Sequence, residues 1–133
     1  MNWLQKIAKS EALQALVDKW KSAVPGLLLY VYEDENRIVL SNIIVPKGQR
    51  KQGFGSQVVQ DLIDYADQIG KRMELSPGVK DPYQGTTSRN RLVQFYKRFG
   101  FLENRGRKKD YRMTETMFRD PSQKPTTDPS QGV

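Results

Sequence analysis

The sequence predicts an α/β protein of the α+β kind, with a mixed and mostly antiparallel sheet that contains one parallel pair. Polar turns at 33–36 and 106–109 each separate two runs of strand character, which is the pattern of antiparallel hairpins. Between them, an apolar run ending at Val45 leads into a helical stretch over 56–69 and then a short strand over 71–76. A strand–helix–strand connection of that kind joins parallel neighbours through a right-handed crossover. The length of 133 residues and the 37% hydrophobic content suit one domain with a single core.

Each element has its own signal. Residues 2–23 read as helix with a break near Ser10, because Leu13, Leu16, Val17 and Trp20 recur at i, i+3, i+4 and i+7, and Pro25 with Gly26 stops the pattern. Trp3, Leu4 and Ile7 make a shorter apolar face ahead of it. Residues 27–32 and 37–45 are the first hairpin, and Pro46, Lys47 and Gly48 leave the sheet. The helix over 56–69 puts Val58, Val59, Leu62, Ile63, Ala66 and Ile69 on one face, and Gly70 caps it. Asp61, Asp64 and Asp67 on its outer side read as a solvated face and not as a metal site. The strand over 71–76 places Met73 and Leu75 on one side and Glu74 on the other. Residues 77–87 form a loop. A further helix has Leu92, Phe95, Tyr96 and Phe99 on one face and ends at Gly100. Residues 101–105 and 111–117 make the second hairpin. The domain is expected to span 1–118, with a disordered tail over 119–133 that is rich in Pro, Ser, Thr, Gln and Asp.

Composition excludes several chemistries. With no cysteine and no histidine, disulfides, thiolate nucleophiles, histidine triads and metal sites built on cysteine or histidine are impossible, and no metal is expected. The apolar runs at 26–31 and 43–45 are too short to span a membrane, and Lys6, Lys9 and Glu11 interrupt any signal-peptide pattern. A cytoplasmic protein, monomeric or homodimeric, is the expectation. Net charge is +7, and residues 88–112, with nine Lys or Arg against two acids, account for all of it. Such a segment suits nucleic acid, an acidic protein or ligand phosphates, or is simply a solvated face. It interleaves too few exposed aromatics for a stacking platform, so nucleic acid is not the favoured partner.

The most informative segment is Gln49-Arg50-Lys51-Gln52-Gly53-Phe54-Gly55-Ser56, between the Val45 strand and the next helix. A helix start exposes unpaired N–H groups at its positive end, and glycines let an anion approach the backbone. The reading is a phosphate or pyrophosphate cradle. The Gly-x-x-x-x-Gly-Lys-Ser/Thr loop and the Gly-x-Gly-x-x-Gly fingerprint are both absent. Arg-x-x-Gly-x-Gly resembles the pyrophosphate loop of the GNAT superfamily of acyl-CoA N-acyltransferases. Residues 90–101, with Tyr96-x-x-x-Gly100-Phe101, are similar to that family's second signature. The two lie in the family's order and spacing, and the resemblance covers 37–117.

The resemblance implies a GNAT-like sheet with a parallel strand wedge and helices on both faces. It further implies an enzyme of the acyltransferase class that moves acetyl from acetyl-CoA directly to a primary amine of unknown identity. The cofactor-binding set it implies is Val45, Arg50, Lys51, Gln52, Gly53, Phe54, Gly55, Ser56 and Asn90, with Ser88 as a substitute for Asn90. Tyr96 matches the family's general acid; without the resemblance it reads as a core tyrosine with a bonded hydroxyl. The family's carboxylate position is Ser41 here, followed by Asn42, so the base falls to Glu74 or Glu33, and Glu74 also reads as a solvent-facing strand residue. Asp81, Tyr83 and Glu74 are candidates to hold a cationic acceptor. The alternative is a weak or inactive member of the fold that binds protein or nucleic acid through its basic surface.

Overall fold

The computed structural model describes residues 3–50, 52–77 and 89–121, with side chains from residue 11 onward. Helix α1 (Trp3–Ala23) leads to strands β1 (Leu28–Glu33) and β2 (Arg37–Ile44). Helix α2 (Phe54–Ile69), strand β3 (Arg72–Leu75), helix α3 (Arg89–Lys97) and the short strands β4 (Leu102–Glu103) and β5 (Met117–Arg119) follow. The sheet order is β1-β2-β3-β5-β4. The β2–β3 pair is parallel, and the other three pairs are antiparallel.

One apolar cluster unites the elements. Leu29, Ile38, Leu40, Met73, Leu75 and Met117 are its sheet side. Leu13, Val17 and Trp20 of α1 join it, as do Val58, Val59, Leu62, Ile63 and Ala66 of α2, and Val93 and Tyr96 of α3. The apolar spacing seen in the sequence is therefore the spacing that buries each helix.

Several expectations need correction. α1 runs unbroken through Ser10. α2 begins at Phe54 rather than at residue 56, because Gly53 takes the left-handed conformation (φ 77°) just before it. The acids of α2 are not all merely solvated. Asp61 accepts from the indole N–H of Trp20 at 2.7 Å and from Lys19 at 2.9 Å, which ties α1 to α2. Asp67 takes the Arg119 guanidinium at 2.7 Å, and Arg119 also donates to the Phe99 carbonyl. That fork holds Arg119 in β5, so the last strand closes two residues later than 117 and one residue inside the expected tail. Residues 111–116 are not strand. Asn104 pinches the turn shut by accepting from the Asp110 N–H at 2.8 Å and donating to the Asp110 carbonyl at 3.0 Å. The remaining tail, 122–133, lies outside the described residues, as does most of the loop expected at 77–87.

Glu33 and Lys71 form a buried ion pair at 2.6 Å, with side chains 4% and 9% exposed. The Tyr65 hydroxyl donates to the same carboxylate, and burial and then Glu33 push that phenol's pKa up. The end of β1, the middle of α2 and the entry to β3 meet there. A buried charge that loses its partner is costly, by about 3–5 kcal/mol. Lys71→Ala should therefore lower unfolding free energy by about that amount in a urea titration, and Glu33→Gln with Lys71→Met should restore most of it. A Lys71→Ala loss under about 1 kcal/mol would show that the pair does not tie these elements together.

Candidate active site

β2 is paired on both edges only at its start. β3 matches residues 37–40 and ends at Leu75, opposite Leu40. Over 42–44, β2 pairs with β1 alone. The split coincides with a bulge. Tyr30 pairs with Asn42 and Val31 with Leu40, which leaves Ser41 without a counterpart. A bulge bends its strand and strengthens the local twist, so β2 turns away from β3 here. It also shifts the inward set from Ile38 and Leu40 to Ile43 and Val45. Ser41 and Asn42 are both exposed. β3 cannot follow, because Pro77 lies two residues on and the Ser76 hydroxyl oxygen takes the Thr116 N–H at 3.0 Å.

After β2 the chain makes one 3-10 turn over Lys47–Gln49 and enters α2. The Gln49 amide donates to the Pro25 carbonyl at 2.8 Å, and Arg50 Nε donates to the Val45 carbonyl at 2.8 Å. Arg50 thus staples the loop back onto the strand end. Gly53 is the N-cap of α2; no side chain caps the helix, and its first turn holds no acid. The first N–H groups of a helix have no intrahelical acceptor, so this end presents donors and the positive pole of the helix. A Cβ on Gly55 would meet only Val45 Cγ2, at 3.9 Å, which is ordinary contact. Packing does not demand glycine there, and the space above the first turn is open. Gln52, Gly53 and Ser56 are exposed, and Phe54 and Val45 pack on the core cluster. Strand end, stapled loop and uncapped helix start therefore form one continuous surface suited to an elongated anionic ligand. Lys51 and Ser88 lie outside the described residues.

Tyr96 is 5% exposed and belongs to the same cluster as Leu40 and Leu75, the last residues paired across the split. Its ring meets Phe95 and Phe101 edge-on at 5.1 and 5.7 Å. Among the described residues nothing hydrogen-bonds its hydroxyl, and burial pushes its pKa up to about 12. A buried donor left without a partner costs about 1–3 kcal/mol, and such groups call for an explanation. Asn90 is exposed in the first turn of α3.

Neither candidate base is idle. Glu74 is 6% exposed rather than solvent-facing, and Arg37 Nη1 holds its carboxylate at 2.6 Å. Glu33 is committed to Lys71 and Tyr65. Asp81 and Tyr83 lie outside the described residues. Sequence reasoning missed the bulge at Ser41, although the inward spacing 38, 40, 43, 45 breaks its period of two at that point.

A model of the Acetyltransferase (GNAT) family matches residues 2–101, and the chain belongs to that acetyltransferase family. Among solved structures, the anti-CRISPR protein AcrVA5 is similar, with a TM-score of 0.54 and 22% identity over 70% of this chain and 88% of that one. A mutant of the toxin AtaT, bound to the C-terminus of the antitoxin AtaR and acetyl-CoA, matches at TM-score 0.40 and 14% identity over 71% of this chain and 55% of that one. No curated protein matches the chain.

The two glycines make opposite predictions. Gly53→Ala forces a Cβ into the left-handed region and should destabilise by about 1–2 kcal/mol. Gly55→Ala replaces a helical glycine with open space around it and should stabilise by up to about 1 kcal/mol. Thermal or urea unfolding of the two variants checks this, and equal effects would contradict the geometry.

Proposed function

We propose that this chain transfers an acetyl group directly from acetyl-CoA to a primary amine, with Tyr96 as the general acid. The observation that supports it most is the buried Tyr96 hydroxyl, which no described residue satisfies, in the cluster where β2 and β3 part. Acetyl-CoA supplies an activated thioester. The N–H groups of Gly53, Phe54, Gly55 and Ser56, with Gln52 and Lys51 beside them, would hold its pyrophosphate. Arg50 acts by keeping the strand end and the loop together. The unpaired edge of β2 over 41–45 offers backbone groups to the pantetheine arm, and the N–H at Val45 offers one to the thioester oxygen. Asn90 stands at the start of α3 as a further polar contact.

Transfer forms a C–N bond as the C–S bond breaks; the thiolate needs a proton, and the amine must lose one. Tyr96 is suited to the first need. With its pKa at about 12 it stays protonated across ordinary pH, and it can hand its proton to sulfur as charge develops there. The second need has no dedicated carboxylate: Ser41 is no base, and Arg37 and Lys71 engage Glu74 and Glu33. The amine would therefore arrive neutral or lose its proton to water. That same gap favours a second reading, a family member that binds the donor but transfers poorly.

Tyr96→Phe separates chemistry from packing. Turnover with an amine acceptor should fall about 100-fold, acetyl-CoA affinity should hold, and stability at neutral pH should be equal or higher because the hydroxyl removed has no partner among the described residues. The folded pKa of about 12 lies above the ordinary 10.0, so the stability linked to this group is intact below pH 10.0 and is lost as pH climbs toward 12. Tyr96→Phe should remove that alkaline loss. Unchanged turnover would make Tyr96 a packing residue. Donor binding is tested separately. Acetyl-CoA at about a hundredfold excess over its dissociation constant should stabilise the wild type by about 2.7 kcal/mol. Gly55→Glu should fold normally and show no such gain; an equal gain would remove the cradle from the site.

A further inference from the structure

The strongest feature outside the site is the turn that follows β4. β4 is the outer strand of the sheet, so the turn projects from that edge. Arg105, Arg107, Lys108 and Lys109 are all exposed on it. Among the described residues Glu103 answers Lys97 and Arg105, and Asp110 answers Arg112. No described carboxylate pairs with Arg107, Lys108 or Lys109. Three adjacent cations repel one another, and a floppy turn would relieve that by spreading. This turn is held: Asn104 is buried and clasps Asp110 by two hydrogen bonds, and the Lys109 N–H donates to the Gly106 carbonyl at 3.2 Å. The Lys97–Glu103 pair at 3.0 Å sets the end of α3 against the same edge.

The sequence alone disfavours nucleic acid for want of exposed aromatics, but an exposed ring does complete this surface. Tyr111 is 83% exposed, and Lys109 Nζ stands 5.2 Å from its ring centre. Leu102 beside the turn is 60% exposed. An acidic protein surface would need the cations but has little use for a largely exposed ring next to them. A single-stranded nucleic acid uses both, because phosphates meet the cations and a base stacks on the ring. We propose that the turn bearing Arg105, Arg107, Lys108 and Lys109, with Tyr111, is a docking surface for single-stranded nucleic acid. Recognition there is of backbone charge and one stacked base, so it has little dependence on sequence.

The test is fluorescence anisotropy of a labelled 15-nucleotide RNA and the matching DNA, titrated with the whole chain across salt. Four phosphate contacts on a single strand predict a log–log salt slope near about −2.8, or about a 50-fold loss between 50 and 200 mM salt. Changing Arg107→Gln, Lys108→Gln and Lys109→Gln together should flatten the slope by about 2. Tyr111→Ala should weaken binding about fivefold or more without changing the slope. These side chains are exposed, so both variants should melt like the wild type, and melting is measured alongside. No binding at low salt, or binding that neither variant weakens, would overturn the proposal. Poly-glutamate binding as tightly as RNA, with no effect of Tyr111→Ala, would overturn it in favour of an acidic partner.

Discussion

β2 has eight residues, and β3 pairs with only the first four. The site depends on that mismatch. A sheet satisfies backbone groups by pairing, and a strand that loses one neighbour inside the fold must offer its free edge to something else. Two causes act at the same point. The extra residue at Ser41 bends β2, while Pro77 and the Ser76–Thr116 bond end β3. The free edge leads directly into a loop stapled by Arg50 and a helix start that no side chain caps. The half-paired strand edge and the uncapped helix start thus lie on either side of one short loop, and the family to which the chain belongs is one that acts on acetyl groups.

A split sheet needs other ties, and these are polar. Glu33 with Lys71 and Tyr65 joins β1, α2 and the start of β3 below the split. Arg119 joins β5 to α2 through Asp67 and to the end of α3 through the Phe99 carbonyl. Both bind elements whose apolar faces already meet in the core; the first fixes α2 against the sheet and the second fixes it against the end of α3. Tyr96 is carried on α3, and the uncapped helix start belongs to α2, so the Arg119 tie helps set the distance between them.

The helices and the parallel crossover were legible in the sequence because apolar period and glycine placement are local signals. So was the helix start that follows the β2 strand at Gly53 and Gly55. The bulge was legible in principle, in the step from Leu40 to Ile43, but reading it required knowing which face is inward. The second antiparallel pair was legible but its bounds were not, because Asn104 and Arg119 take their partners at Asp110, Asp67 and Phe99 through folding, and no local pattern announces those bonds. Glu74 and Glu33 looked like candidate bases for the same reason. Their engagement with Arg37 and Lys71 is a tertiary fact that their charge alone does not announce.

Amide hydrogen exchange with and without acetyl-CoA tests the central claim most directly, because the claim concerns backbone donors at named positions. In the free protein the N–H groups of 53–56, and those of 42–45 that face away from β1, should exchange fast. Saturating acetyl-CoA should slow both stretches by about tenfold or more while the turn over 105–110 is unchanged. Protection confined to other segments, or none at either stretch, would contradict the account.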